Sequence, residues 1–247
     1  MSTAVEAVIF DWGGTITPWH PVDLEEQWRA FARQYHVEDP ALADELAARI
    51  HAAEQEGWRR GRRDGYASAR IEEILAEAGV VVGDPRQAAG LTAYRAFWEP
   101  HTLTDPQVKP LWEGLRHNGI RVGVLSNTIW GRDYHRDILA RDGVLDLVDG
   151  DVYSSETPWV KPAPEIFRTA AAAVGVEPVR CVYVGDRSYE DVHGPQSVGM
   201  RAIWVPHSQI PRTSRSRTRP LRTLWPTRSS TCSTSSPAGR RDTAVSA

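Results

Sequence analysis

Four places in the chain put a reactive side chain at the end of an apolar run. AVIF, residues 7–10, ends in Asp11, with Gly13, Gly14 and Thr15 behind it. VGVL, residues 122–125, ends in Ser126 and Asn127. A third run, after residue 150, leads through SSETPWV to Lys161. CVYVG, residues 181–185, ends at Asp186, with Glu190 and Asp191 close behind. These types complement one another. Converging carboxylates repel unless a cation lies between them, and hard oxygen ligands suit Mg²⁺, an ion that favours phosphate-bearing substrates. A lysine and a serine hydroxyl neutralise and orient phosphoryl oxygens. The backbone of Gly13 and Gly14 can approach a ligand closely, because glycine has no Cβ. An aspartate can attack phosphorus and form an aspartyl phosphate. The set therefore points to metal-assisted phosphoryl transfer on a small phosphorylated compound.

The elements that must position these groups are legible as alternating patterns. Five short, apolar runs read as buried strands: AVEAVIF, IRVGVL, GDVYS, CVYVG and RAIWV. Helical patterns between the later ones (106–119, 131–143 and 162–175) each close on a glycine, a stop signal. Alternation of this kind predicts an α/β fold, a Rossmann-like parallel sheet with helices on both faces. In such sheets, ligands bind beyond the carboxyl ends of the strands, where the four polar tips lie. One connection is long. Residues 17–100 read as almost entirely helical, with segments at 23–36, 41–60, 66–79 and 85–98 and turns at EDP, RRGRRDG and GDP. The expected organisation is a core of residues 1–16 and 101–206, a helical cap at 17–100, and a Ser/Thr/Arg/Pro-rich tail at 207–247 that reads as disordered.

Bulk properties exclude several classes. No apolar run approaches the ~18 residues of a membrane span, and Glu6 and Asp11 interrupt the N-terminal run, so no signal peptide is expected. Two cysteines, Cys181 and Cys232, argue against a disulfide framework and for a cytoplasmic setting, with Cys181 buried at the start of a strand. Residues 211–247 carry eight arginines and a single acid, Asp242, while the remainder is strongly acidic. That acidic body offers no nucleic-acid surface. The tail reads as plain disorder, as a basic arm for an anionic partner, or as the product of a reading-frame shift. Oligomeric state is not written in the sequence.

The four motifs, in this order, resemble the haloacid dehalogenase-like hydrolase superfamily over residues 5 to 206: Asp11-Trp12-Gly13-Gly14-Thr15, Ser126 in VGVLSN, Lys161 in VKPAPEIF, and VGDRSYEDVHG around Asp186. The helical insertion is similar to the first class of caps in that superfamily. The resemblance implies that Asp11 is the nucleophile and a Mg²⁺ ligand, with the Gly13 backbone carbonyl and Asp186 completing the protein ligands and Asp191 (or Glu190) in support. It implies that Ser126 and Lys161 hold the transferring group, with Asn127 beside them, and that Thr15 braces the Asp11 loop.

One position departs from the pattern. Most phosphatases of the superfamily carry an aspartate where this chain has Gly13, and it serves as general acid and base, worth about 10²–10⁴ in rate. Three readings follow: a slow or selective phosphatase in which a group such as His20 substitutes; other chemistry of the superfamily, at carbon–phosphorus or carbon–halogen bonds; and a non-catalytic phosphate-binding or regulatory protein. Residues 17–100 contain no lysine for a Schiff base, which argues against the phosphonate route. Asp186 argues against the metal-free dehalogenase route. Among smaller signals, WRRGRR (58–63) reads as a solvated helix end or an anion clamp. HRD (135–137) reads as an exposed helix face. Trp12, Trp130 and Trp159 lie beside the motifs, placed to wall a pocket or pack a core.

Overall fold

The computed structural model describes residues 4–63 and 67–205. The tail at 207–247, with Cys232, lies outside the described residues. Five strands form one parallel sheet: β1 (Ala7–Phe10), β2 (Arg121–Ser126), β3 (Gly150–Tyr153), β4 (Cys181–Gly185) and β5 (Arg201–Trp204), in the order β3-β2-β1-β4-β5. β1 is central, pairing Phe10 with Val124 of β2 on one side and Val184 of β4 on the other. The chain winds outward from β1 in both directions. The order therefore reverses beside β1, and the crevice at that reversal is where Asp11 emerges.

Side chains alternate across the sheet. Val8, Phe10, Val122, Val124, Val182 and Val184 pack on one face with Trp112, Ile138 and Leu139. Ala7, Ile9, Leu125, Cys181 and Tyr183 pack on the other with Ile166 and Phe167. Burial on both faces explains the continuous apolar runs. The helices α5 (Val108–His117), α6 (Arg132–Arg141) and α7 (Pro164–Ala173) each end before a glycine with positive φ, at Gly119, Gly143 and Gly175. Only glycine adopts that left-handed stop without strain.

Between β1 and β2 lie α1 (Leu24–Tyr35), α2 (Pro40–Arg63), α3 (Ile71–Glu77) and α4 (Pro85–Trp98). Asp23 caps α1 by accepting from the Glu25 amide at 2.9 Å, and Asp84 caps α4 with Pro85 at its first position. α2 runs through Arg63, so RRGRRDG does not break the helix where the sequence suggested. α3 is shorter than the pattern over 66–79 implied. These helices share an aromatic core of Trp28, Phe31, Tyr35 and Tyr94, which Ile129 and Trp130 from the loop after β2 enter. That loop is thus packed against the helical segment while Ser126, at its start, belongs to the sheet. No helix among the described residues is long and apolar enough to cross a membrane.

Candidate active site

Register brings the four motif tips to one edge of the sheet. Asp11 follows β1, and its amide donates to Val184 O at 2.8 Å, which fixes the carboxylate beside the end of β4. Lys161 arrives on the loop after β3. Asn127 holds that loop by its backbone, since Oδ1 accepts from Lys161 N at 2.8 Å and Nδ2 donates to Lys161 O at 3.2 Å. Lys161 Nζ then donates to Asp11 Oδ1 (2.6 Å), Asp191 Oδ1 (2.7 Å) and Tyr183 Oη (2.9 Å). Asp191 sits on a wide π-type turn, Ser188–His193, and its other oxygen accepts from Arg187 N at 2.9 Å. Asp11, Asp186 and Asp191 each offer an oxygen within 4.8 Å of the others.

The charge balance is lopsided. Three buried carboxylates face Lys161 and Arg187. Burial pushes the Asp11 carboxyl above its usual range; Lys161 opposes that and Asp186 reinforces it. Asp186 is raised by burial against the pull of the Trp19 indole and Arg187, and Asp191 by burial against Lys161. Burial disfavours the Lys161 ammonium, but Asp11 and Asp191 outweigh it and hold the group protonated well beyond its ordinary range. Asp186 Oδ1 is buried without a hydrogen bond, while Oδ2 accepts from Trp19 Nε1 at 2.6 Å. Surplus negative charge, an orphaned buried oxygen and an all-oxygen donor set fit a hard divalent cation.

The site opens into a cavity of about 740 Å³. Asp11, Gly13, Ser126, Asn127 and Lys161 line it, and its other walls come from the helical segment, from the loop and helix after β2, and from Arg187 and Glu190. Three expectations need correction. Thr15 does not reach the cavity, and its hydroxyl is buried without a partner. The chain turns at Gly14 (φ 80°) so that Thr17 returns beside Gly13, and Thr17 rather than Thr15 lines the wall and braces the loop, donating to Trp12 O at 3.3 Å. Asn127 lies on the wall but spends its amide on the Lys161 backbone, a positioning task. His135 is not on an exposed face: it is buried, stacked on Tyr153 with centroids 4.3 Å apart, while Arg136 and Asp137 are exposed. Trp12 and Trp130 line the cavity, whereas Trp159 packs under the sheet. Arg59 and Arg60 pair with Glu56 and Glu77, and no arginine of WRRGRR reaches the cavity.

Sequence reasoning missed three groups. Arg187 lines the cavity, and the charges of Asp186, Asp11 and Glu190 overcome its burial and raise its pKa. Its position directly after Asp186 was the available signal. Tyr183 relays between Lys161 and Leu125 O, to which it donates at 3.2 Å. Its place on the strand that delivers Asp186 could have suggested this. Trp19 had no sequence signal.

A family model of haloacid dehalogenase-like hydrolases matches residues 5–199. The chain belongs to this family. Relatives of this hydrolase include a glyceraldehyde 3-phosphate phosphatase of Methanopyrus kandleri, 28% identical over 81% of this chain and 84% of that protein. A phosphoglycolate phosphatase of Cereibacter sphaeroides is 31% identical over 78% and 82%. A phosphoserine phosphatase of Thermus thermophilus is 31% identical over 55% of this chain, which spans about half (52%) of that enzyme. Among solved structures, a HAD phosphatase from Thermococcus onnurineus superposes with a TM-score of 0.57 at 26% identity, covering 86% of this chain and 92% of that one. A 2-haloacid dehalogenase from Pseudomonas syringae, at 23% identity and a TM-score of 0.57 over 81% and 86%, shares the fold.

Proposed function

We propose that this hydrolase is a Mg²⁺-dependent phosphatase of small phosphorylated metabolites that works through an aspartyl phosphate on Asp11. The observation that carries the reading is the meeting of Asp11, Asp186 and Asp191 within 4.8 Å, with Lys161 bonded to two of them. Its relatives named as phosphatases support the phosphoric-ester class.

In this reading an Asp11 carboxylate oxygen attacks phosphorus, the P–O bond to the organic group breaks, and water then cleaves the acyl phosphate to free phosphate and Asp11. Asp11, Asp186 and the Gly13 carbonyl would hold Mg²⁺, with Asp191 in support. When bound, that ion supplies charge stabilisation for the phosphoryl oxygens. Lys161 keeps Asp11 ionised and offsets the charge of the phosphoryl group, and Ser126 donates to a phosphoryl oxygen. Asn127, Asp191 and Tyr183 position the Lys161 ammonium. Residues 17–100 act as the cap whose helices close over the organic part of the substrate. Gly13 leaves the departing oxygen without its usual proton donor. His20, an exposed residue on the cavity wall, is a candidate substitute for that donor.

Phosphate release from a panel of phosphorylated metabolites, with and without Mg²⁺ and with Asp11→Asn as control, tests the reading. Release that needs Mg²⁺ and vanishes in the variant is the expected result. Saturable binding of the same compounds with no release would establish the non-catalytic alternative instead.

A further inference from the structure

The cavity carries an acid outside the aspartate cluster. Glu54 of α2 is densely surrounded, yet it keeps accessible surface and lines the cavity. Its hydrogen-bond donors are neutral: Trp28 Nε1 at 2.8 Å, Gln27 Nε2 at 3.4 Å, and the Trp58 indole. The orientation of Gln27 is forced. Its Oε1 accepts from Tyr94 Oη (3.0 Å) and Trp98 Nε1 (2.9 Å), so its amide nitrogen must face Glu54. Trp130 Nε1 donates in turn to Tyr94 Oη at 3.4 Å, which ties the network to the loop after β2.

This network fixes a carboxylate without neutralising it. Lys161 and Arg187, the cations of the cavity, act on the aspartate cluster. Among the described residues, the Coulombic pull on Glu54 comes from the His51 ring. A largely desolvated carboxylate held by neutral donors is costly to ionise, which raises the Glu54 pKa above its usual range, unless a cation joins it. Trp58, Tyr94, Trp98 and Trp130 line the same cavity, and aromatic faces attract organic cations. A neutral hydroxyl would satisfy a lone pair on Glu54 but leave its charge uncompensated.

We propose that Glu54 and the surrounding rings bind a positively charged nitrogen on the organic part of the substrate, so that the preferred class is small phosphorylated amines. The phosphate end of that assignment rests on the phosphatase reading above. The probes are O-phosphoethanolamine and its neutral isostere 2-hydroxyethyl phosphate, with ethanolamine and ethylene glycol as unphosphorylated counterparts. The amine ester is favoured in kcat/KM by about 10-fold or more, the scale of one charge-assisted hydrogen bond. Glu54→Gln brings that ratio near one, mainly through KM of the amine ester, and Glu54→Asp restores part of it. Equal kcat/KM for the two esters in the unaltered protein overturns the proposal. So does a preference that survives in Glu54→Gln with an unchanged circular dichroism spectrum. If neither ester is cleaved, the phosphatase reading fails separately, and tryptophan fluorescence decides the cation site. Saturable quenching by ethanolamine but not ethylene glycol, lost in Glu54→Gln, upholds it; no saturable difference overturns it.

Discussion

Gly13 and Gly14 are neighbours with opposite tolerance for a side chain. A Cβ on Gly14 would lie 2.5 Å from Asp186 Oδ2 and closer still to the Trp19 ring, at a φ of 80° that disfavours any other residue. At Gly13 a Cβ would meet nothing within 4 Å, and the position lines the cavity. Gly13→Asp therefore has room to supply the missing acid. Turnover of alkyl phosphates should rise by about 10²-fold or more, the lower end for general acid–base catalysis. Steady-state kcat on one ester checks this, and an unchanged kcat would mean that proton transfer does not limit the reaction. His135 makes a prediction about stability. Burial lowers its pKa to about 4 from 6.5. Between those values the unfolded chain binds a proton that the folded one refuses, so stability is full above pH 6.5 and falls as pH drops toward 4. The loss is on the order of 3 kcal/mol. Urea denaturation at pH 7 and pH 4.5 should show His135→Gln losing less than the parent across that interval; an equal loss would clear His135 of the effect. At this scale Asp11, Ser126 and Asp186 stood out because each lies at the end of a strand, and Lys161 because it is one of two lysines in the chain and follows the third strand on its loop. Thr15 was misplaced because the turn at Gly14 decides which hydroxyl faces the cavity, and residue types do not encode that direction.

Elements were legible where a local period governs them. The strands after Gly119 and before Asp186 alternate between two buried faces, and glycines mark the ends of α5, α6 and α7. Boundaries failed where packing decides. Arg62 and Arg63 continue α2 although the composition suggested a turn. Gly90 of α4 shows how closely the helices meet. A Cβ there would lie 2.7 Å from Cδ2 and Cε2 of Phe31, a fully buried ring on α1 flanked by Trp28 and Tyr35. In an exposed helix, glycine to alanine gains about 1 kcal/mol. Here overpacking wins, and Gly90→Ala should destabilise by about 1–3 kcal/mol. A chemical denaturation midpoint that falls confirms the contact; one that rises would show that α1 and α4 have room to part.

Over the whole molecule, the aspartate cluster couples ligand binding to folding. Asp11 comes from the start of the chain and Asp186 and Asp191 from the end of β4 and the turn after it, so the cluster assembles only in the folded chain and a cation bound there stabilises the fold by mass action. At a hundredfold excess over Kd, Mg²⁺ should raise Tm by roughly 5–10 °C. Thermal scans with Mg²⁺ and with a chelator check this, and the shift should largely vanish in Asp186→Asn; an equal shift in the variant would place the ion elsewhere. The sequence alone determined the parallel α/β core, the helical insertion and the order of the motif residues. Each follows from short-range periodicity and from polar residues at strand ends. Only the tertiary structure decided that Arg187 and Trp19 guard the aspartates, that Thr17 displaces Thr15, and that Glu54 and Gln27 share a cavity with Asp11. Those juxtapositions depend on how the helical segment packs against the loop after β2. That packing is set by side-chain shape across long sequence separations, and no local pattern carries it.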